Sequence, residues 1–230
     1  MQAGGAANAS AFSGVLNVRQ LFRTVSTSGQ QTLERGFLDT YHYVLYVHLL
    51  SLFVGIGAAA VLSVCLFQLR GARELVDALP WGRVAGKTGR VFPIAILGLF
   101  GSGAYMTSDV WTWSTGWIQV GIAALVVLGI QGPVIAERSG KKLEHALREN
   151  GPGPLGEHAR RMTRYPGLWV TEFSAIGLVL AIVWNMTVKA GTGSAIAAAV
   201  IGYGVGAGFG FLFTRAPSPE TQAAASPSGS

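Results

Sequence analysis

The sequence predicts an all-α integral membrane protein: an antiparallel four-helix core plus a fifth, glycine-rich transmembrane helix. Three observations carry that prediction. Charged residues make up only 12% of the 230 positions, where soluble domains carry about 25%. Five apolar stretches, at 43–66, 91–108, 116–136, 168–188 and 194–214, have the length a bilayer span requires, about 17–25 residues. The lysines and arginines also alternate from loop to loop, as the positive-inside rule requires of a multi-pass chain.

Residues 1–40 precede the spans and read as an external tail, flexible or interfacial, in which "SGVLNVRQLFRTV" can form a short amphipathic helix. No basic segment precedes an apolar run within residues 1–20, so a secretory signal is not expected there. Residues 41–190 form the four-span membrane domain, and 191–214 the fifth span. Residues 215–230, rich in Ser, Pro and Ala, read as a disordered cytoplasmic tail.

The first span contains "YHYVLYVHLLSLFVGIG", and with it His48. At 1.5 Å per residue, His48 lies only about 7 Å below the outer interface. Ser51, Gly55, Ala59 and Ser63 fall within about 60° of it around the helix, a row of small residues that suits contact with another helix. His48 therefore points into protein. Either another span hydrogen-bonds it, or it ligates haem or a metal, or it carries a proton. The single cysteine, Cys65, excludes an intrachain disulfide and a cysteine-rich metal site.

The segment 70–90 holds five of the 17 basic residues and reads as a cytoplasmic loop broken at Pro80. The second span is short and interrupted by "GSG". Its outer end, with His42, Met106, Asp109 and Met186 at the same level, offers imidazole and thioether groups that together suit copper. A haem on His48 needs a second axial ligand, which Met106 or another subunit would have to supply.

The third span extends as a helix through "ERSGKKLEHALREN", turns at "GPGPLG" and re-enters through "EHARRMTRYPG". Seven basic residues lie in this stretch and none between spans two and three. That pattern places 70–90, 137–167 and the C-terminus in the cytoplasm of an inner-membrane protein, with the N-terminus outside. The net charge of +6 thus reflects topology and contact with anionic lipid, and no nucleic-acid partner is expected. Trp111, Trp113, Trp117 and Trp184 fall at outer ends and Trp81 and Trp169 at inner ones, as two aromatic belts.

Glu172 enters the fourth span about 6 Å from the cytoplasmic side, on the face opposite Ser174, Gly177, Ala181 and Asn185. It reads as a snorkelling carboxylate paired with the arginines at 160, 161 and 164, a proton or cation role being the other reading. In the fifth span, Gly202, Gly206 and Gly210 form one row, and Gly204 with Gly208 another. Either row lets two helix backbones approach closely, within this bundle or against another chain.

Some motifs fail on context. "GPGPLG" matches a dinucleotide fingerprint but contains two prolines and follows no strand. "GRVAGKTG" is one residue short of a phosphate loop, with Trp81 where its first glycine belongs. Asn8 and Asn185 head glycosylation sequons too common to carry weight.

The segments "YVLYVHLLSLFVGIGAAAVLSV", "GLFGSGAYMTSDVWTWSTGWIQVGIAALVVLGIQGPVIAERSGKKL" and "RYPGLWVTEFSAIGLVLAIVWNMTVK" resemble small bacterial membrane proteins of the copper-resistance-protein-D-like and HemJ-like group. That group includes an uncharacterised four-span family, the nearest in pattern, and the resemblance spans about 41–190. It implies a four-span bundle and ties His48 to haem b or porphyrin chemistry. Two departures stand out. The spans contain no lysine to match the catalytic one of the HemJ oxidases, and a fifth span is added.

The expected function is that of an accessory or assembly protein whose bundle docks other membrane chains, or a second copy of itself, through the fifth span. The alternative is a haem- or copper-binding redox protein using His48, and a third is a small transporter. Without a paired acid–base set the reading leans away from an enzyme.

Overall fold

A chain that cannot hydrogen-bond to lipid must satisfy its backbone internally, and five helices long and apolar enough to cross a bilayer do so here: Thr40–Gly71, Leu75–Val110, Gly116–Glu149, Glu157–Val188 and Thr192–Arg215. The structure, a computed structural model, describes the backbone of residues 18–215 and side chains from Thr40 onward. The tails expected at 1–17 and 216–230 lie outside the described residues. Two units are distinguished, Met1–Val44 and Leu45–Ser230. In the first, the rings of Tyr41 and His42 meet edge to face at 6.0 Å.

Helix α1 (Val18–Gly71) begins well before the expected span. The expected external tail is helical from Val18, and no proline interrupts the chain before Pro80. Helix α2 (Leu75–Gly89) replaces the expected loop and contains Pro80 inside it. A single residue, Arg90, separates it from α3 (Val91–Val110). The short second span thus gains a helical lead-in on its basic side.

Helix α4 (Gly116–Gln131) continues through one π-helical turn, Gly132–Ala136, into α5 (Glu137–Glu149). Pro133 lacks the N–H that an α-helical ladder would use, and widening the turn absorbs that defect. The "GPGPLG" turn follows. Gly151 (φ 67°) and Gly153 (φ 112°) take conformations that suit glycine. Leu75 N–H donates to the Gly153 carbonyl at 3.0 Å and Leu155 N–H to the Arg73 carbonyl at 2.8 Å. These two bonds join the two basic segments.

Helix α6 (Glu157–Thr163) leads into α7 (Pro166–Val188), which begins with proline at its first position. A left-handed residue, Lys189 (φ 51°), ends α7, and α8 (Thr192–Arg215) returns along it.

Two apolar clusters fill the bundle. One, at the basic end, gathers Leu66, Leu69, Ala78, Leu143, Leu147 and Trp169 among others. Trp169 was expected in an interfacial belt, yet it is fully buried. Its indole N–H donates to the Thr163 carbonyl at 3.0 Å, and Phe67 and Phe213 pack on its ring, so the polar edge needs no water. The other cluster joins Ala124, Leu178 and Ile182, with Met186 and Tyr203 against it.

Helices α7 and α8 approach most closely. A Cβ at Gly210 would lie 2.6 Å from the Trp169 carbonyl oxygen, and one at Gly202 would lie 2.5 Å from that of Gly177. A Cβ at Gly206 would overlap the Phe173 carbonyl. Only glycine permits this backbone-on-backbone contact.

Candidate functional site

Several buried polar side chains of the spans each join two helices. His48 is 6% exposed, and its Nδ1 lies 2.9 Å from the Ser102 hydroxyl of α3. That hydroxyl also donates to the Gly98 carbonyl at 2.5 Å. The ring and the Ser102 hydroxyl share this hydrogen bond, whose direction is set by the tautomer of the imidazole. Gly103 lies beside the ring, where a Cβ would stand 3.5 Å from Cε1.

The small-residue row following His48 meets two neighbours. Ser51 crowds Gly98, where any Cβ would overlap the Ser51 hydroxyl, and Gly55 faces Ala95. Ala59 is half-buried. Ser63, one turn beyond Ala59, donates its hydroxyl to the Glu172 carboxylate of α7 at 2.7 Å. Glu172 is only 6% exposed, so this carboxylate turns into the bundle rather than snorkelling outward to the arginines. Arg161, one of those arginines, pairs with Glu157 at 3.0 Å.

The opposite face of α7 carries a second polar link. Gln131, the last residue of α4 before the π turn, donates from Nε2 to the Thr171 carbonyl at 2.9 Å and to the Ser174 hydroxyl at 2.8 Å. Near the far end of α7, Asn185 is 1% exposed and donates to the Ala195 carbonyl at 3.1 Å, closing the α7–α8 hairpin. Gln131 Oε1, Asn185 Oδ1 and Asp109 Oδ2 are buried with no hydrogen-bond partner among the described residues.

At the basic end, Arg70 of α1 donates to the Phe213 carbonyl at 2.9 Å, and its guanidinium lies 4.3 Å from the centre of the Phe213 ring. A cation placed on the last carbonyls of α8 also complements the helix dipole.

The residues of the copper constellation fall on several elements. His48 sits between α1 and α3, whereas Met186 packs against the apolar cluster of Ala124, Leu178 and Ile182. Met106 and Asp109 lie on α3, the helix whose Ser102 meets His48. Among the described residues no three His, Cys, Asp or Glu side chains gather as a metal-binding group.

Sequence reasoning missed three partners: Ser102, Gln131 and Thr171. The signal for Ser102 was present in "GSG", a serine between glycines within a span. Gln131 was marked by its place beside "GP", where a freed backbone invites polar company. The Thr171 contact, made through its carbonyl, leaves no trace in side-chain pattern.

Fold and site together define the class: an all-α, five-span membrane protein whose interior polar groups link its helices. No family model matches this chain, and no curated protein or solved structure is significantly similar to it.

Proposed function

We propose that this protein is an accessory component of the cytoplasmic membrane whose bundle docks another membrane chain along the outward face of the fifth span. The observation that carries this reading is the division of the glycines on α8. Gly202, Gly206 and Gly210 are used against α7, whereas Gly204 and Gly208 are exposed, with nothing within 4 Å of a Cβ at either position. Ile201, Val205 and Leu212 flank them and are 62–66% exposed. Lipid gains nothing from glycine, which lowers helix propensity by about 1 kcal/mol relative to alanine. A second helix does gain, because it can approach the backbone. The basic segments between spans support an orientation with the N-terminus outside and the C-terminus in the cytoplasm.

The test is photo-crosslinking in native membranes with a benzoylphenylalanine at Val205, and another at Leu97 of α3 as a lipid-facing control. Discrete crosslinked partners at Val205, lost when Gly204 is replaced by Leu, are expected. Equal crosslinking at Leu97, or none at Val205, contradicts the docking reading.

A haem- or copper-binding redox role for His48 is the second reading. It draws on the Nδ1–Ser102 contact, which orients the ring as outer hydrogen bonds do for ligating histidines. Its remaining ligands would come from Met106 or from another chain.

A further inference from the structure

Helices α5 and α6 leave between them a groove of about 440 Å³, lined by Lys141, Lys142, His145, His158 and Met162. The amphipathic pattern of α5 creates one wall. Leu143, Ala146 and Leu147 are buried against the bundle, which leaves Lys141, Lys142 and His145 exposed on the flank. On α6, His158 and Met162 are four residues apart and line the other wall.

The acids nearby lie at the ends of this strip. Glu137 pairs with Lys141 at 2.7 Å from one turn before it, and Glu149 with His145 at 3.1 Å from one turn after. Glu144 and Glu157 pair with Arg148 and Arg161. No acid lines the groove itself. Lys142 reaches over the Tyr165 ring at 5.1 Å, and Met162 gives an apolar surface. The groove therefore combines two lysines and two histidines with the apolar side chain of Met162, where the helices of spans three and four run on into the basic segment.

We propose that this groove binds the phosphate of an anionic glycerophospholipid in the leaflet that the basic segments face. The lysines and histidines take the phosphate oxygens, and Met162 takes the first carbons of the chains. Basic pockets between spans favour such headgroups because the ligand is held at the surface where they project. A soluble phosphate would offer the lysines at least as much negative charge but no use for the apolar side chain of Met162.

The experiment is native mass spectrometry of the full-length, delipidated protein titrated with phosphatidylglycerol, with phosphatidylcholine of the same chains, and with inorganic phosphate alone. The K142Q/H158Q variant should bind phosphatidylglycerol about tenfold more weakly than the wild type. The R148Q/R161Q variant removes charges of the same two helices that are already paired, and should change binding less than about twofold. Phosphatidylcholine should bind all three proteins alike and more weakly than phosphatidylglycerol binds the wild type. Equal losses in the two variants, or no preference for phosphatidylglycerol, overturn the site. Inorganic phosphate that binds the wild type as tightly as the lipid overturns the lipid assignment. Should K142Q/H158Q fail to elute as a folded protein, a salt series on the wild type decides. Phosphatidylglycerol binding must weaken with added salt while phosphatidylcholine binding does not, and salt-independent binding overturns the proposal.

Discussion

At the scale of residues, the membrane interior makes each polar group expensive to leave alone, and the pairs found here follow from that cost. His48 meets Ser102, Glu172 meets Ser63, and Gln131 meets Ser174 and a backbone carbonyl. Interhelical hydrogen bonds within membranes average about 0.6 kcal/mol and reach about 1.7 kcal/mol. A double-mutant cycle of His48→Leu and Ser102→Ala, measured by reversible unfolding in mixed micelles, should thus give a coupling of about 0.6–1.7 kcal/mol. A coupling of zero would mean the two side chains do not meet. Half of this contact was legible in the sequence. The glycine and serine positions after His48 aimed it at a helix, because a 100° step orders residues around one helix. Which helix it would meet was not legible, since that depends on how separate spans rotate against one another. Glu172 illustrates the same limit. Its position four residues into the span suggested snorkelling, but its direction toward α1 depends on packing that no local pattern encodes.

At the scale of elements, the α7–α8 hairpin is the most specific contact in the bundle, and its glycines make it so. Leucine at Gly206 would drive side-chain atoms into the Phe173 carbonyl, and neither backbone can yield without parting the helices. Overpacking of this kind costs typically 1–3 kcal/mol. Gly206→Leu should therefore lower the thermal stability of the detergent-solubilised protein, whereas Gly204→Leu, facing open space, should leave it unchanged or slightly raised. Equal effects at the two positions would show that α8 is rotated from the arrangement described. Both glycine rows were visible in the sequence as a spacing of four. Which row faced inward was decided by the matching small residues of α7, Gly177 and Ala181, and these became partners only once the hairpin closed. The segment between spans one and two illustrates the opposite failure. Pro80 read as a break, yet α2 continues through it, because Leu75, Ala78 and Trp81 pack into the basic-end cluster and that burial outweighs the lost hydrogen bond.

At the scale of the whole molecule, the five spans were legible because length, hydropathy and charge alternation are properties of the bilayer as solvent and need no tertiary information. What the molecule does is encoded less directly. Several of its interior polar groups link helices, its basic end carries a groove lined by lysine and histidine, and its fifth helix turns Gly204 and Gly208 outward. We propose that His48 links helices in an accessory protein and is not the ligand of a redox centre. The direct test is an absorption spectrum with metal analysis on protein purified in mild detergent from cells supplied with haem precursor and copper. The account predicts a colourless, metal-free protein whose spectrum does not change in His48→Ala. A stoichiometric Soret band, or stoichiometric copper, that is present in the wild type and lost in His48→Ala would contradict it.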